Sequence, residues 1–270
     1  EAALCLVRLG EARSQDRAAP PAAAPAEDAL PQATPAARIE AVFGLIAAAA
    51  RLTSAPLAGA DQPGWPWPEH DGIELAPADW KNLEGPTLVQ ALQKRRSRRN
   101  FRPKTITRLE LARLLELVRT GDTGRVIELG FLTNEVQDLP DGFYLFRPDR
   151  GLARHKGGFL GPHLAEAALG QDWVGRANVV LVVSAGLEAL EATLGPRSLR
   201  LAYLAAGRLG QRAYLAAEVL GWGCCGVGAF FDEEVAGLLD LPAGLSPLYL
   251  IPLGPVQKRI HGGRAAANRP

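Results

Sequence analysis

Apolar positions along the chain change period several times, and each change marks an element. Residues 108–119 carry Leu109, Leu111, Leu114, Leu115 and Val118, a helical stripe. Thr107 and Glu110, three apart at its start, form a capping box. Before it, Leu88, Val89 and Leu92 predict a shorter helix, beginning just after Pro86, a residue favoured in a first turn. The stretch Phe143-Tyr144-Leu145-Phe146-Arg147 reads as an aromatic strand entered through the turn Leu139-Pro140-Asp141-Gly142. Residues 178–184 form a continuous apolar run of strand length, the pattern of a strand buried on both faces. The longest helix is predicted over 198–220. Ala205, Ala206, Gly207, Gly210, Ala213, Ala216 and Ala217 recur along it, small residues that permit close helix–helix approach. A short helix over 233–239 and a strand over 248–253 complete the pattern.

The N-terminal part is organised differently. Residues 1–17 suit a short amphipathic helix with Leu4, Leu6, Val7 and Leu9. Residues 18–37 hold ten alanines and five prolines, with too little large apolar surface to offset ordering entropy, and read as a linker. Helical spacing returns over 38–53, with Ile39, Val42, Phe43 and Ile46 on one face. The segment Gln62-Pro63-Gly64-Trp65-Pro66-Trp67-Pro68 is too proline-rich for a helix or a sheet interior and suits an extended arm pinned by its indoles, with a recognition segment in polyproline form the alternative. The expected partition is an extension and linker over 1–37, a helix and arm over 38–80, a main domain over 81–260, and a tail over 261–270.

Composition narrows the function classes. The chain has 270 residues, 47% hydrophobic and 22% charged, an ordinary globular balance. Its net charge of +1 argues against general nucleic-acid binding. Three cysteines, two of them adjacent (Cys224, Cys225), make neither a disulfide framework nor a zinc ligand set. His155 and His163, placed in a Gly-rich connection, lack partners at metal spacing, so no metal is expected. No membrane span is expected either. The apolar run 42–50 faintly resembles a signal-peptide core but is bracketed too tightly by Glu40 and Arg51, so a cytoplasmic location is the expectation, with export the alternative.

The candidate chemistry centres on residues 94–104, Lys-Arg-Arg-Ser-Arg-Arg-Asn-Phe-Arg-Pro-Lys, where seven of eleven residues are basic. A cationic cluster with a serine at a helix end suits a phosphate, because guanidinium groups and a hydroxyl supply charge-assisted hydrogen bonds. Charge alone fits a solvated basic face or a nucleic-acid patch as well.

The order of residue types goes further. Arg95-Arg96-Ser97-x-Arg99-x-Phe101, before the Ile106-Thr107-x-x-Glu110 helix, resembles the opening of the nitroreductase family of flavoproteins. The Trp/Pro arm, the Leu139–Phe146 strand, Ala168-Leu169-Gly170-Gln171-Asp172-Trp173 and the string 221–230 resemble its SagB-type, thiazole-forming dehydrogenase branch. The resemblance implies an α+β fold, a mixed sheet flanked by helices in an intertwined homodimer. It also implies FMN as cofactor, with NAD(P)H a candidate electron donor and a small-molecule or peptide substrate. Carried over by position, Arg95, Arg96, Ser97 and Arg99 would hold the FMN phosphate and ribityl chain, and Phe101 would anchor the core. Thr123 and Gly124 stand in a flavin-approaching loop, and Gln211 in a motif on the long helix. By the same resemblance Cys225, Gly226, Val227 and Gly228 would form a strand close to the isoalloxazine, and Lys258 and Arg259 would belong to a tail that finishes the phosphate site.

The chain departs from the branch at three places. The Pro-Ser-x-Gly loop is reduced to Thr123-Gly124. The Lys-Tyr pair before the long helix is replaced by Thr193-Leu194. The "G-H-x-x-Q-N" motif keeps only Gly207 and Gln211. Two function classes follow. One is an FMN-dependent oxidoreductase acting on a non-azoline substrate. The other is a degenerate flavin-binding or flavin-free relative serving as a partner or scaffold protein.

Overall fold

The structure, a computed structural model, describes residues 72–73, 75, 78–80, 84–118, 126–147 and 151–257. The chain divides into two units, 1–56 and 57–270, and all the described residues belong to the second. The helices expected over 1–17 and 38–53, and the Trp65–Trp67 arm, lie outside the described residues, as do the loop at Thr123-Gly124 and the pair Lys258-Arg259.

Seven helices are described: α1 (Leu88–Lys94), α2 (Arg108–Val118), α3 (Gly161–Ala167), α4 (Asp172–Gly175), α5 (Leu187–Leu194), α6 (Ser198–Leu220) and α7 (Asp232–Leu238). Seven strands accompany them: β1 (Gly72–Ile73), β2 (Glu128–Thr133), β3 (Gly142–Arg147), β4 (Gly151–Gly157), β5 (Val179–Ala185), β6 (Gly223–Cys224) and β7 (Ser246–Gly254). They form one sheet in the order β1-β4-β3-β2-β5-β7-β6. The α+β architecture is as expected, but every ladder among the described residues is antiparallel. Parallel pairing is confined to the isolated bridges Ser97↔Cys224 and Ile106↔Val136.

β5 explains how the layers are held. All seven of its residues are buried, and successive side chains point to opposite faces. Val179, Leu181 and Val183 join a cluster with Leu111, Leu114 and Leu115 of α2 and Leu209 and Ala213 of α6. Val180 and Val182 join a second cluster with Leu164 of α3, Val174 of α4 and Val235 of α7. A sheet covered by helices on both faces has no polar side to alternate with, hence the unbroken apolar run.

Helix ends are set by local chemistry. At α2 the Thr107 and Glu110 backbone amides donate to the other residue's side chain, at 2.8 and 3.1 Å, as the sequence predicts. At α1 the cap is Thr87, paired reciprocally with Gln90, and Pro86 lies just outside the helix and not in its first turn. α6 ends at Gly221 in the left-handed conformation, φ 67°, the usual glycine stop. Its small residues Ala202, Ala205, Ala206, Gly210, Ala213, Ala216 and Ala217 are buried within the protomer, which answers the close-packing expectation inside one chain.

Candidate functional site

Lys94 and Arg95 sit where α1 ends, and cations are favoured at the negative end of a helix dipole. From there the basic segment runs as an extended strip fixed by its backbone. Arg98 N–H donates to the Cys224 carbonyl at 2.9 Å, and Arg102 N–H to the Pro255 carbonyl at 3.0 Å. Phe101 pairs with Val256, and its ring is 6% exposed in the second core cluster, the anchor the sequence predicts. These contacts place the strip beside β6 and the end of β7.

Where the strip crosses α6 there is a cleft of about 460 Å³, lined by Arg95, Arg96, Ser97, Gly207, Gly210, Gln211, Tyr214 and Tyr249. Its described walls carry two guanidinium groups and no carboxylate. Arg96 bends back so that one terminal nitrogen donates to the carbonyls of Gln93 (3.0 Å) and Arg95 (2.7 Å). Ser97 Oγ is 2.8 Å from the Tyr214 hydroxyl, and the Gly226 N–H donates to that same hydroxyl at 3.0 Å. One phenol therefore joins the basic strip to the glycine segment.

Of the residues the sequence singles out, Arg95, Arg96, Ser97 and Gln211 meet at this cleft. Arg99 does not. Its Nε donates to Cys225 Sγ at 3.3 Å and its guanidinium stacks 5.2 Å from the Trp173 ring centroid. The glycine segment also differs from expectation. A Cβ on Gly226 would lie 1.7 Å from the Tyr249 hydroxyl, so the missing side chain makes room for a tyrosine of this chain. Val227 exchanges both backbone hydrogen bonds with Leu250, and its side chain is buried in the core. Cys225 is 1% exposed and engaged with Arg99. Only Gly228 opens onto free space, with nothing within 4 Å of a Cβ placed there.

Cys224 is 1% exposed, and burial pushes its thiol well above the ordinary range, helped by Cys225; it is an inert packing residue. Burial pushes the Tyr249 hydroxyl up to about 12, with Tyr214, Cys224 and Cys225 adding to the effect. It stays protonated at neutral pH.

The histidines read as lying in one connection are separated by the fold. His155 lies in β4, its Nε2 2.9 Å from the Asp240 carbonyl, and His163 lies in α3, 3.7 Å from Glu166. Among the described residues no group of three potential ligands could hold a metal ion, and no helix is long and apolar enough to cross a membrane.

Tyr214 and Tyr249 are the cleft residues that sequence reasoning missed. Tyr214 carried one legible signal, its position three residues after Gln211 on the same helix face. Tyr249 carried none, since its strand reads as plain core.

The geometry can be set beside known proteins. The model of the nitroreductase family matches residues 133–255. "Putative nitroreductase MJ1384" of Methanocaldococcus jannaschii is 30% identical over 197 residues, 68% of this chain and 97% of that protein. The crystal structure of a putative nitroreductase from Anabaena variabilis superposes with a TM-score of 0.63 at 28% identity, covering 76% of this chain. The chain spans only 45% of that structure's length. The Escherichia coli microcin synthetase McbBCD complex contains a chain of the same fold, with a TM-score of 0.52 at 17% identity over 83% of this chain and 85% of its own. With a curated relative matched over nearly its whole length and the same fold in the solved structures, the chain belongs to the nitroreductase family.

Proposed function

We propose that the protein is an FMN-dependent oxidoreductase of the SagB-type branch, acting on a small-molecule or peptide substrate other than an azoline, as a homodimer. The observation that carries this reading is the cleft where Arg95, Arg96 and Ser97 face Gly207, Gly210 and Gln211. Its volume of about 460 Å³ is that of a ligand site. Its donors and its lack of carboxylate suit the phosphate and ribityl end of FMN. When bound, FMN would supply the hydride or electron transfer.

The chain's own residues bind and orient. Arg95 and Arg96 neutralise the phosphate, Ser97 adds a directed hydroxyl, and the Gln211 amide faces the polyol. Gly228, whose side-chain space is open, leaves room for a flat ring beside the backbone. Branch membership rests on the motif likeness over residues 139–146, 168–173 and 221–230, and a cytoplasmic location remains part of the proposal.

The test is FMN titration of the flavin-stripped protein. Wild type should bind FMN and show a flavin absorbance band. Arg95→Ala with Arg96→Ala should weaken binding about tenfold or more, since a hydrogen bond to a charged group contributes roughly 1.5–3 kcal/mol. Unchanged affinity in that double variant places the phosphate elsewhere and overturns the assignment.

A further inference from the structure

The Tyr214 hydroxyl touches two groups in the described structure, the Gly226 N–H at 3.0 Å and Ser97 Oγ at 2.8 Å. The direction of the second bond follows from chemistry. A backbone N–H can only donate, so the phenolic oxygen accepts from Gly226. Accepting that bond polarises the O–H and makes it a stronger donor. A phenol is a stronger hydrogen-bond donor than an aliphatic alcohol, so the pairing favours Tyr214 as donor and Ser97 Oγ as acceptor.

The chain of donors therefore runs from Gly226 N–H to the Tyr214 hydroxyl to Ser97 Oγ. The serine proton is left to the cleft that Ser97 lines, with no acceptor for it among the described residues. We infer that Tyr214 is a positioning residue that fixes the Ser97 hydroxyl as a donor toward a phosphate in the cleft, and so helps the site distinguish FMN from riboflavin.

The setting supports this reading. Tyr214 lies one helical step from Gln211 on the cleft face of α6, and both line the cleft. The same phenol satisfies the backbone amide of Gly226, a residue that can carry no side chain because Tyr249 fills its space. Its hydroxyl is thus held from the glycine side before any ligand arrives. An orienting group fixed in advance spares the ligand the cost of ordering the serine rotor.

The inference rests on the reading of the cleft as a flavin-phosphate site, and the test separates the two. Wild type, Tyr214→Phe, Ser97→Ala and the double variant are titrated with FMN and with riboflavin, and their thermal unfolding is recorded alongside. If wild type binds FMN no better than riboflavin, the phosphate reading itself falls. If it prefers FMN, Tyr214→Phe should lower that preference about 3- to 10-fold, the worth of one ordinary hydrogen bond. Riboflavin, which has no phosphate, should lose less affinity than FMN. In the Ser97→Ala background Tyr214→Phe should change the preference no further, because there is no serine left to orient.

Equal loss for both flavins, or additive losses in the double variant, would show a purely structural tyrosine and overturn the inference. Should Tyr214→Phe unfold, Ser97→Thr supplies the second comparison. It keeps the hydroxyl on the Tyr214 bond and should retain most of the preference, and a preference as low as that of Ser97→Ala would count against the oriented donor.

Discussion

On the proposed SagB-type likeness, Thr193 and Leu194 would stand where azoline-oxidising dehydrogenases carry Lys-Tyr, and in the structure Thr193 is committed within its own helix. Its hydroxyl donates to the Ala189 carbonyl at 2.8 Å, a bond internal to α5. Leu194 has no proton chemistry. Arg197 donates from Nε to the Leu194 carbonyl, and a guanidinium stays protonated in proteins. Removing a carbon-bound proton as the flavin takes a hydride requires a base within hydrogen-bond reach, a contribution of roughly 10²–10⁴-fold. The FMN-loaded protein should therefore oxidise a thiazoline peptide no faster than free FMN does. Sustained turnover in a chromatographic assay would show that another residue supplies the base.

At this scale Arg95, Arg96, Ser97 and Gln211, singled out by residue type and order, line one cleft. Arg99 looked equivalent to its neighbours. Its partners Trp173 and Cys225 lie 74 and 126 positions away in the chain, and only the fold brings them together.

Among the elements, the slot for Tyr249 shows how glycines in two of them are coupled. A Cβ on Gly210 of α6 would come 2.8 Å from the Tyr249 ring, and one on Gly226 would collide with both its ring and its hydroxyl. The β7 tyrosine therefore sits between a helix and the glycine segment only because both lack side chains. Overpacking of this kind costs about 1–3 kcal/mol. Gly226→Ala should destabilise the protein by that order in urea unfolding, while Gly228→Ala should stay within about 0.5 kcal/mol, as surface changes do. Equal effects at the two positions would mean that the slot does not constrain the fold.

Element existence was legible where one signal dominated. The capping box set the start of α2, the small and large apolar repeat gave α6, and the unbroken apolar run gave β5. β4 was not legible. Gly151–Gly157 contains Arg154, His155 and Lys156 in succession, a polar stretch whose strand state comes from pairing with β3 and β1. The cap at Thr87 was hidden behind Pro86, a stronger-looking start signal one residue earlier.

For the whole molecule, the distribution of exposed apolar residues argues for a second copy. On α6 Leu199, Tyr203 and Leu204 are 49%, 53% and 44% exposed, and on α1 Leu88 and Val89 are 64% and 62% exposed. Residues four apart on a helix share a face, so Leu199, Tyr203, Gly207 and Gln211 form one ridge. The last two line the cleft. A partner seated on the apolar end of that ridge would overhang the polar end and exclude water from it. Dimerisation and flavin binding should then rise and fall together. In sedimentation at micromolar concentration the protein should run as a dimer. Tyr203→Glu with Leu204→Glu places charges at exposed positions and leaves the protomer core intact, so this variant should run as a folded monomer. Burying an unpaired charge in an interface costs several kcal/mol, and the monomer should bind FMN at least about tenfold more weakly. A wild-type monomer would remove the dimer proposal. A monomeric variant with full FMN affinity would leave the cleft complete within one chain.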